Sequence, residues 1–394
     1  MIKFEISAPG KVILFGEHAV VYGKTAVATS LNLRTTLRFT ELTSSADFKH
    51  SIKIEFPNIN LLIVVPLSAF LNYFFNDNFT YLPENSVHLH NHVKDFVESI
   101  ADLLKKNDDK DIINRQKSSL RAFFYLLSCT IFNEELNIKD TSFHVYVSTN
   151  FSVGAGLGSS ASFAVCLAGC FLHWSNLQKD KRNTFISDLD KISKYALDSE
   201  KIMHESPSGI DNSICTYGSM IRFENRKLVD MLQDVPKLNI LLVNSGIVRN
   251  TKDLVKRVAD VKNTSLTTFN SILDSIDDIA KNGWKTFNNM SSEGEDSKNP
   301  KWYSKLKTLI DTNQKLLHTL GVSHTQLDTI CQLANKHSYS SKLTGAGGGG
   351  YVFVLLPPNE DEQSIISLIN DLIEHGFDKF VRTSLGGNGV RLEE

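Results

Sequence analysis

The sequence of 394 residues is poor in cysteine and proline and has no long hydrophobic run. Its five cysteines are scattered and form no CxxC pair, which argues against a disulfide framework and against a structural zinc site. A reducing compartment, the cytoplasm, is therefore expected. The longest apolar stretch, residues 61–71, is interrupted by Pro66 and falls short of the ~20 residues that span a bilayer, so no membrane segment is predicted.

The sequence also lacks an excess of either charge, since 42 Lys and Arg residues face 44 Asp and Glu residues, for a formal net charge of −2. Binding to nucleic acid or to an anionic membrane depends on clustered basic side chains, so neither partner is expected. Any bound anion must be held by a local arrangement of residues. With 41% hydrophobic residues, a chain of this length can form two hydrophobic cores, and two domains are predicted.

Glycine is absent from residues 24–153, and 11 of the 22 glycines lie in three short windows at 154–158, 345–350 and 386–389. Glycine clusters of this kind mark places where the backbone turns sharply or approaches another group closely. These windows are therefore the first candidates for functional loops.

Alternating apolar residues predict a strand, a turn at Pro9-Gly10 and a second strand at the start of the sequence. The charged residues 105–117 are interpreted as a solvated loop or helix end without a functional role, and residues 287–301 as a surface loop. The apolar spacing predicts helices over residues 93–104, 119–132, 184–205, 251–285, 302–318, 325–337 and 361–374.

The predicted order of strands and helices favours an α+β fold. The polar segment 224–237 is the best candidate for the boundary between the two domains. The predicted domains are therefore residues 1–231 and residues 232–394.

The sequence VGAGLGSS at residues 153–160, here called the glycine loop, lies between a predicted strand and a predicted apolar helix. It is not a dinucleotide fingerprint, which would need glycine at Ser159, and it lacks the Gly-Lys of a Walker A motif. Three glycines let backbone N–H groups converge, the helix N-terminus adds partial positive charge, and two hydroxyls follow. The loop therefore favours a polyphosphate ligand over the alternative of a tight turn, which needs fewer glycines and no serines.

The sequence GAGGGG at residues 345–350, the second glycine run, matches GxGxxG as a string. It precedes the predicted strand YVFVLL instead of a helix, so a dinucleotide site is not predicted. The run is interpreted as a close backbone approach to a neighbouring loop or to a substrate phosphate. A flexible hairpin connection is the alternative.

Three charged residues near turns are candidates for catalysis. Lys11 follows Pro9-Gly10, Glu200 lies one turn before a predicted helix end, and Asp211 lies just beyond a Pro-Gly turn. Two carboxylates placed in this way can divide the work, with one binding a metal ion and the other accepting a proton. Each can also be an ordinary surface charge.

Two groups of residues that contain histidine are weak candidates for metal ligands. Glu200 and His204 have the i, i+4 spacing of a metal pair on one helical face. The alternating His88, His90 and His92 would share one face if their segment were extended, but no cysteine or carboxylate complements them nearby. They are interpreted as part of a solvated strand or loop.

Four segments, taken together and in order, resemble the motifs of the GHMP small-molecule kinases, and the resemblance covers nearly the whole chain. They are APGKVILFGEHAVVYG (8–23), VGAGLGSSAS (153–162), HESPSGIDN (204–212) and LTGAGGGG (343–350). The first resembles the branch of that superfamily that phosphorylates mevalonate, since galactokinases have GEHTDY in place of GEHAVV.

The resemblance implies a two-domain α+β fold, with an N-terminal domain like domain 2 of ribosomal protein S5 and a ferredoxin-like C-terminal α/β sandwich. It implies transfer of a phosphoryl group from ATP to the primary hydroxyl of mevalonate with Mg²⁺ as cofactor. Asp211 matches the proton acceptor of the family and Lys11 the lysine beside the transferred phosphate. Ser160 and Glu200 match the magnesium ligands.

The resemblance also implies binding residues for both substrates. The positions matched on the mevalonate side are Glu17, His18 and Thr251. The positions matched on the ATP side are Asn58, Thr149, Gly154, Ala155, Gly156, Leu157, Gly158, Ser159 and Ser160.

A homodimer and inhibition by prenyl diphosphates are further expectations from the resemblance. Two other functions stay open: a sister kinase acting on phosphomevalonate or a sugar, and a non-catalytic sensor that binds nucleotide without turnover. The presence of Lys11, Ser160, Glu200 and Asp211 together argues against the sensor. A dehydrogenase is disfavoured because its fingerprint is absent.

Overall fold

A computed structural model describes residues 1–42, 50–76, 79–82, 86–104, 109–181, 184–203, 209–225, 227–247, 251–293, 299–359 and 361–394. The strands are β1 Lys3–Phe15, β2 Ala26–Leu42, β3 Ser51–Phe56, β4 Leu61–Pro66, β5 Ser142–Thr149, β6 Met220–Glu224, β7 Lys227–Leu232, β8 Asn239–Asn244, β9 Ser341–Leu343, β10 Tyr351–Leu355, β11 Phe380–Ser384 and β12 Arg391–Glu393. The α-helices are α1 Leu67–Phe74, α2 Ser86–Ser99, α3 Lys110–Glu134, α4 Ser159–Gln178, α5 Leu189–Met203, α6 Ile210–Tyr217, α7 Thr251–Thr264, α8 Leu266–Ser292, α9 Pro300–Thr319, α10 Thr325–Lys336 and α11 Glu362–Glu374.

The larger sheet has eight strands, with the order β12-β1-β2-β5-β3-β4 and with β6 joining β2 to β7. Strands β3 and β5 pair in parallel, and the other pairs are antiparallel. The predicted turn at Pro9-Gly10 is instead a shift in register between Pro9 and Lys11 within one strand. The chain therefore continues through the motif, and the irregularity lies beside Lys11.

The smaller sheet has four antiparallel strands in the order β11-β8-β10-β9. Strand β10 is buried over its whole length, as its unbroken apolar sequence YVFVL predicts. After β11 the chain leaves this sheet, and the last strand, β12, pairs with β1 in the larger sheet. The domain boundary at residues 231 and 232 stays a prediction.

One hydrophobic cluster contains residues of both sheets. Val12 and Leu14 of β1 belong to it together with Leu242 of β8 and Phe353 of β10, and all four are at most 2% exposed. Because β1 contributes to this cluster while it pairs with β2, the motif at its end is held by both halves of the chain.

Three details differ from the sequence predictions. Residues 110–117 begin helix α3, whose N-terminus is capped by the Asp109 side chain, so the charged segment is largely helical. Helix α8 extends to Ser292 into the predicted surface loop. His88, His90 and His92 lie on helix α2 and not on an extended segment, so residues two positions apart point to different faces.

None of the helices in the described ranges combines the length and the apolar character that a bilayer crossing requires.

Gly283 on α8 offers a test of the packing between this helix and β1. A Cβ at this position would lie 2.5 Å from Cδ2 of Phe15, which is 1% exposed. Alanine normally improves a helix by ~1 kcal/mol, but overpacking costs about 1–3 kcal/mol. We expect Gly283→Ala to lower the free energy of unfolding, measured by urea titration, and the exposed Lys285→Ala to change it by less than about 0.5 kcal/mol. A more stable Gly283→Ala protein would contradict this packing.

Candidate active site

The glycine loop connects β5 to the N-terminus of α4 with a left-handed backbone at each of its three glycines. Their φ angles are 79° at Gly154, 94° at Gly156 and 77° at Gly158, values that other residues rarely adopt. Gly158 is the N-cap of α4, and no side chain within the described ranges caps this helix end. The first backbone N–H groups of the helix are therefore available to an anion, as the sequence predicts.

Serine side chains complete the start of the helix. The Gly154 N–H donates to Oγ of Ser159 at 3.0 Å, so this hydroxyl closes the loop on itself. Ser160 is the next residue of α4 and is partly buried. Leu157, in contrast, is fully buried in the shared hydrophobic cluster, so its side chain shapes the loop and does not face a ligand.

Lys11 lies directly behind the glycine loop. Its backbone N–H donates to the Leu157 carbonyl at 2.9 Å. A Cβ on Gly158 would lie 2.8 Å from Cγ of Lys11, so glycine is needed at this position for a second reason besides its φ angle. The loop and the lysine therefore form one unit although they are far apart in sequence.

The Lys11 ammonium forms an ion pair with Asp211, with 2.9 Å between Nζ and Oδ1. Asp211 is in the first turn of α6, which begins after Gly209 with a left-handed φ of 85°. The lysine side chain is 4% exposed and the aspartate side chain 35%. The Lys11 ammonium is therefore enclosed, whereas the Asp211 carboxylate is partly exposed and can be reached by a ligand.

Glu200 of α5 is 3% exposed and lies close to the same pair. Burial and the negative charge of Asp211 raise the pKa of this carboxyl to about 8, and Lys11 opposes the shift. Lys11 thus pairs with Asp211 and does not offset a second negative charge on Glu200, so ionisation of Glu200 favours a further cation.

Ser160 and Glu200, the predicted magnesium ligands, have the donor chemistry that this ion prefers. Among the described residues, no group of three or more His, Cys, Asp or Glu side chains could hold a metal ion. The hydroxyl of Ser160 and the carboxylate of Glu200 are hard oxygen donors, and Mg²⁺ commonly takes only one or two protein ligands, with phosphate oxygens and waters completing its shell.

A pocket of about 250 Å³ opens beside the glycine loop and is called the α3 pocket. Two of its walls, Phe56 and Phe163, are stacked rings 5.2 Å apart and nearly parallel. Its lining residues are Phe56, Asn114, Arg115, Ser118, Ser119, Val153, Gly154, Ser159, Ser160 and Phe163.

The α3 pocket is lined in part by residues of the charged segment, for which the sequence predicts no functional role. Asn114 and Arg115 lie in the stretch that was assigned no function, and Ser118 and Ser119 follow one turn later. The sequence carries one signal for this pocket: polar residues at i, i+1, i+4 and i+5 come directly before an apolar helical run. A solvated helix face has the same pattern, so the sequence alone does not separate the two.

Asn58 and Thr149, both predicted to bind nucleotide, lie together. The Asn58 amide donates to the Thr149 carbonyl at 3.1 Å and accepts from the Thr149 N–H at 3.0 Å. Both ends of this amide are therefore engaged by the backbone of Thr149. The Thr149 hydroxyl is buried and has no hydrogen-bond partner within the described residues. Asn58 thus positions Thr149, and contact with a nucleotide stays a prediction for both.

Glu17 was predicted to contact substrate, but its side chain has no exposed surface. It forms a buried ion pair with Lys342 and accepts a hydrogen bond from the Asn313 amide at 3.2 Å. A direct substrate contact does not fit this geometry, because the carboxylate is enclosed by other side chains.

His18 is the adjacent residue and has a left-handed φ of 60°. Its Nε2 lies 2.8 Å from the Ala346 carbonyl in the second glycine run. Because a carbonyl only accepts, Nε2 carries the hydrogen and Nδ1 is the acceptor nitrogen. Burial lowers the pKa of this histidine, which favours the neutral ring.

The side chain of Thr251, the third predicted residue on the substrate side, lies outside the described residues, although the backbone of Thr251 begins α7. His204, the weak metal candidate, also lies outside them.

The second glycine run approaches neighbouring loops closely, as the sequence predicts. The Gly348 N–H donates to the Val322 carbonyl at 2.8 Å, and the Gly350 N–H donates to the Ile247 carbonyl at 3.1 Å. A Cβ on Gly347 would lie 2.1 Å from the Val322 carbonyl oxygen, and a Cβ on Gly349 would lie 2.6 Å from the Ile247 carbonyl oxygen.

Comparisons with known proteins identify the family of this chain. The family model "GHMP kinases N terminal domain" matches residues 124–219, and "GHMP kinases C terminal" matches residues 276–375. The chain is 36% identical to the mevalonate kinase of Mus musculus, over 98% of this chain and 94% of the relative.

Two solved structures share the fold over almost the full length. The crystal structure of the Methanococcus jannaschii mevalonate kinase has a TM-score of 0.68 and 23% identity, and covers 98% of both chains. That of L. major mevalonate kinase in complex with R-mevalonate has a TM-score of 0.66 and 18% identity, and covers 99% of this chain and 97% of the other.

The raised pKa of Glu200 predicts how the stability of the metal-free protein depends on pH. The fold favours the protonated carboxyl, so this stabilisation is complete below the ordinary pKa of 4.5 and is lost as the pH rises towards about 8. In EDTA, Glu200→Gln should be as stable as the wild type near pH 4.5 and more stable at pH 8, by an amount of order a few kcal/mol. Thermal unfolding across this range gives the measurement, and two parallel curves would contradict the shifted pKa.

Proposed function

Because the chain belongs to the mevalonate kinases of the GHMP kinase family, we propose which of its residues bind the two substrates and transfer the phosphoryl group from ATP to mevalonate. The predicted two-domain α+β fold of that family and its kinase activity are confirmed by these relatives. The proposal rests on one observation above all: the Lys11–Asp211 ion pair lies directly against a glycine loop at an uncapped helix N-terminus.

ATP, the phosphoryl donor of the family, would bind with its triphosphate on the glycine loop and the first turn of α4. Converging N–H groups and the helix dipole both favour this anion. The α3 pocket opens beside the loop and supports a place for the nucleoside, because the stacked Phe56 and Phe163 offer an apolar wall and Ser118 and Ser119 offer hydroxyls.

Mg²⁺ would be held by Ser160 and Glu200 together with the phosphates. When bound, it supplies positive charge that stabilises the phosphoryl oxygens. Glu200 is suited to this role because its carboxyl is buried and feels the negative charge of Asp211, so a bound cation would offset the charge of both.

The primary hydroxyl of mevalonate would attack the γ-phosphorus, the bond from that phosphorus to the β-phosphate bridging oxygen would break, and the hydroxyl proton would pass to Asp211. An alcohol is far less acidic than a carboxylic acid, so Asp211 would accept the proton late, as the new P–O bond forms. Lys11 would turn its charge towards the transferred group, which at ~4 Å and an effective dielectric constant near 20 is worth up to about 4 kcal/mol.

On the substrate side, we assign His18 and Thr251 to mevalonate and give Glu17 a positioning role. The L. major mevalonate kinase, a chain of the same fold, was solved in complex with R-mevalonate, which supports mevalonate as the substrate; the residue assignments rest on the motif resemblance.

A homodimer, inhibition by prenyl diphosphates and a cytoplasmic location are proposals that rest on the family resemblance. A prenyl diphosphate would compete with ATP, since its diphosphate has the charge that the glycine loop is suited to bind. The five cysteines are all free thiols, which agrees with a reducing compartment.

Replacement of the proton acceptor tests the reaction. We expect Asp211→Asn to lose 10²- to 10⁴-fold or so in kcat, the usual contribution of a general base, with a small change in ATP affinity. ADP release dependent on mevalonate gives kcat, and a fluorescent ATP analogue gives the affinity. Asp274→Asn, on an exposed carboxylate of α8, is the control and should be fully active. Near-normal turnover of Asp211→Asn would overturn the assignment.

Ser160 and Ser159 are neighbours with different expected roles. Ser160→Ala should shift the magnesium dependence of activity to higher concentration, because one metal ligand is lost. Ser159→Ala should raise the KM for ATP without this shift, because its hydroxyl holds the loop through Gly154. Magnesium titrations of both variants at saturating ATP separate the two roles, and the same titration curve for Ser160→Ala and wild type would exclude Ser160 as a ligand.

A further inference from the structure

Lys342 is a buried charge that the proposed reaction does not use. Neither its side chain nor that of its partner Glu17 has any exposed surface. The Lys342 ammonium also donates to the Leu343 carbonyl at 2.8 Å, and the Asn313 amide donates to Glu17. Both charges are thus held by several hydrogen bonds in the interior.

A buried ion pair of this kind is a poor source of stability. The cost of removing two charges from water often equals or exceeds their attraction, and apolar residues of similar volume can be as stable. The pair between Glu17 and Lys342 therefore calls for an explanation other than stability. Its position in the fold supplies one.

The pair belongs to a set of contacts that join the end of β1 to the chain entering the second glycine run. The Ile13 N–H donates to the Thr344 hydroxyl at 3.1 Å, and this hydroxyl donates back to the Ile13 carbonyl at 3.0 Å. Two residues further along the run, the Ala346 carbonyl accepts from His18. These contacts, together called the zipper, hold residues 13–18 against residues 342–346. The ion pair between Glu17 and Lys342 is one of them.

The same run also contacts Ile247 and helix α7, where a Cβ on Gly348 would lie 2.8 Å from Cδ1 of Leu254. The Gly350 N–H donates to the Ile247 carbonyl, and a Cβ on Gly349 would lie 2.6 Å from that oxygen. Ile247 is the last described residue before α7, which begins with Thr251. The second glycine run therefore links the segment of His18 to Ile247 and to helix α7.

We propose that Lys342 is a positioning residue for the mevalonate side of the site: its buried bond to Glu17 fixes the second glycine run against residues 13–18 and so sets the spacing between His18 and the start of α7. The inference rests on the proposed function. It assigns Lys342 no contact with either substrate.

Three variants of the full-length protein test this role: Lys342→Met, Glu17→Gln and the double variant that carries both. Each single substitution loosens the zipper, so the KM for mevalonate should rise about tenfold or more, while the KM for ATP should stay within about twofold because the glycine loop is untouched. Steady-state assays well below each melting temperature give both constants.

The double variant separates positioning from simple stability. Lys342→Met leaves Glu17 as an uncompensated buried charge and should lower the melting temperature strongly, whereas the double variant removes both charges and should recover most of that loss. If Lys342 acts by positioning, the KM for mevalonate stays high in the double variant although its stability returns. If the KM returns to the wild-type value together with the melting temperature, the proposal is overturned.

Lys24→Met is the matched control. Lys24 pairs with Asp274 of α8 at 2.6 Å, so it also joins the N-terminal segment to a helix of the second half, but on the exposed surface. We expect this variant to keep both KM values. A wild-type protein without mevalonate-dependent ADP release would refute the proposed function itself, whereas an active wild type with an unchanged KM in Lys342→Met and Glu17→Gln would refute only the role of Lys342.

Discussion

The arrangement of the site depends on the close contact between the glycine loop and Lys11. The lysine backbone is bound to the Leu157 carbonyl, and its side chain passes so near Gly158 that a Cβ there would lie 2.8 Å away. This contact places one ammonium behind an anion-binding helix end and in front of Asp211. Because the lysine comes from β1 and the loop from the connection between β5 and α4, the pairing of the large sheet has to be complete before the site exists.

Strand β1 makes this possible because it belongs to both halves of the molecule. Its residues Val12 and Leu14 pack in a cluster with the smaller sheet, and its N-terminal part pairs with the final strand β12. The two glycine-rich segments then meet the same strand: the glycine loop contacts Lys11, and Thr344 contacts Ile13. A site between two domains normally depends on how they dock, and here one strand fixes the position of both loops.

The sequence was sufficient for features that depend on local signals and insufficient for those that depend on distant partners. The glycine loop and helix α4 follow from a glycine-rich stretch directly before an apolar helical pattern, and the sequence predicts both. The position of Asn114 and Arg115 in the α3 pocket does not follow from the sequence, because a polar helix start has the same pattern whether it faces water or a pocket. The enclosure of Glu17 was beyond prediction because its partner Lys342 is 325 residues away in the chain, and only the tertiary fold brings them together. The motif resemblance supplied the roles of Lys11 and Asp211, while the structure supplied their separation of 2.9 Å.

The two buried lysines, Lys11 of β1 and Lys342 of β9, show how burial decides which charge can take part in a reaction. Lys342 and Glu17 are both fully enclosed, so neither can exchange its partner without opening the interior, and a charge pair of this kind acts only through geometry. Lys11 is almost as buried, but its partner Asp211 is about one third exposed and a second carboxylate, Glu200, lies nearby. An arriving phosphate can therefore share the Lys11 ammonium without the protein having to unfold around it. The difference lies in the exposure of the carboxylates and not in the lysines themselves, and it separates the pair proposed to perform chemistry from the pair proposed to hold the site in shape.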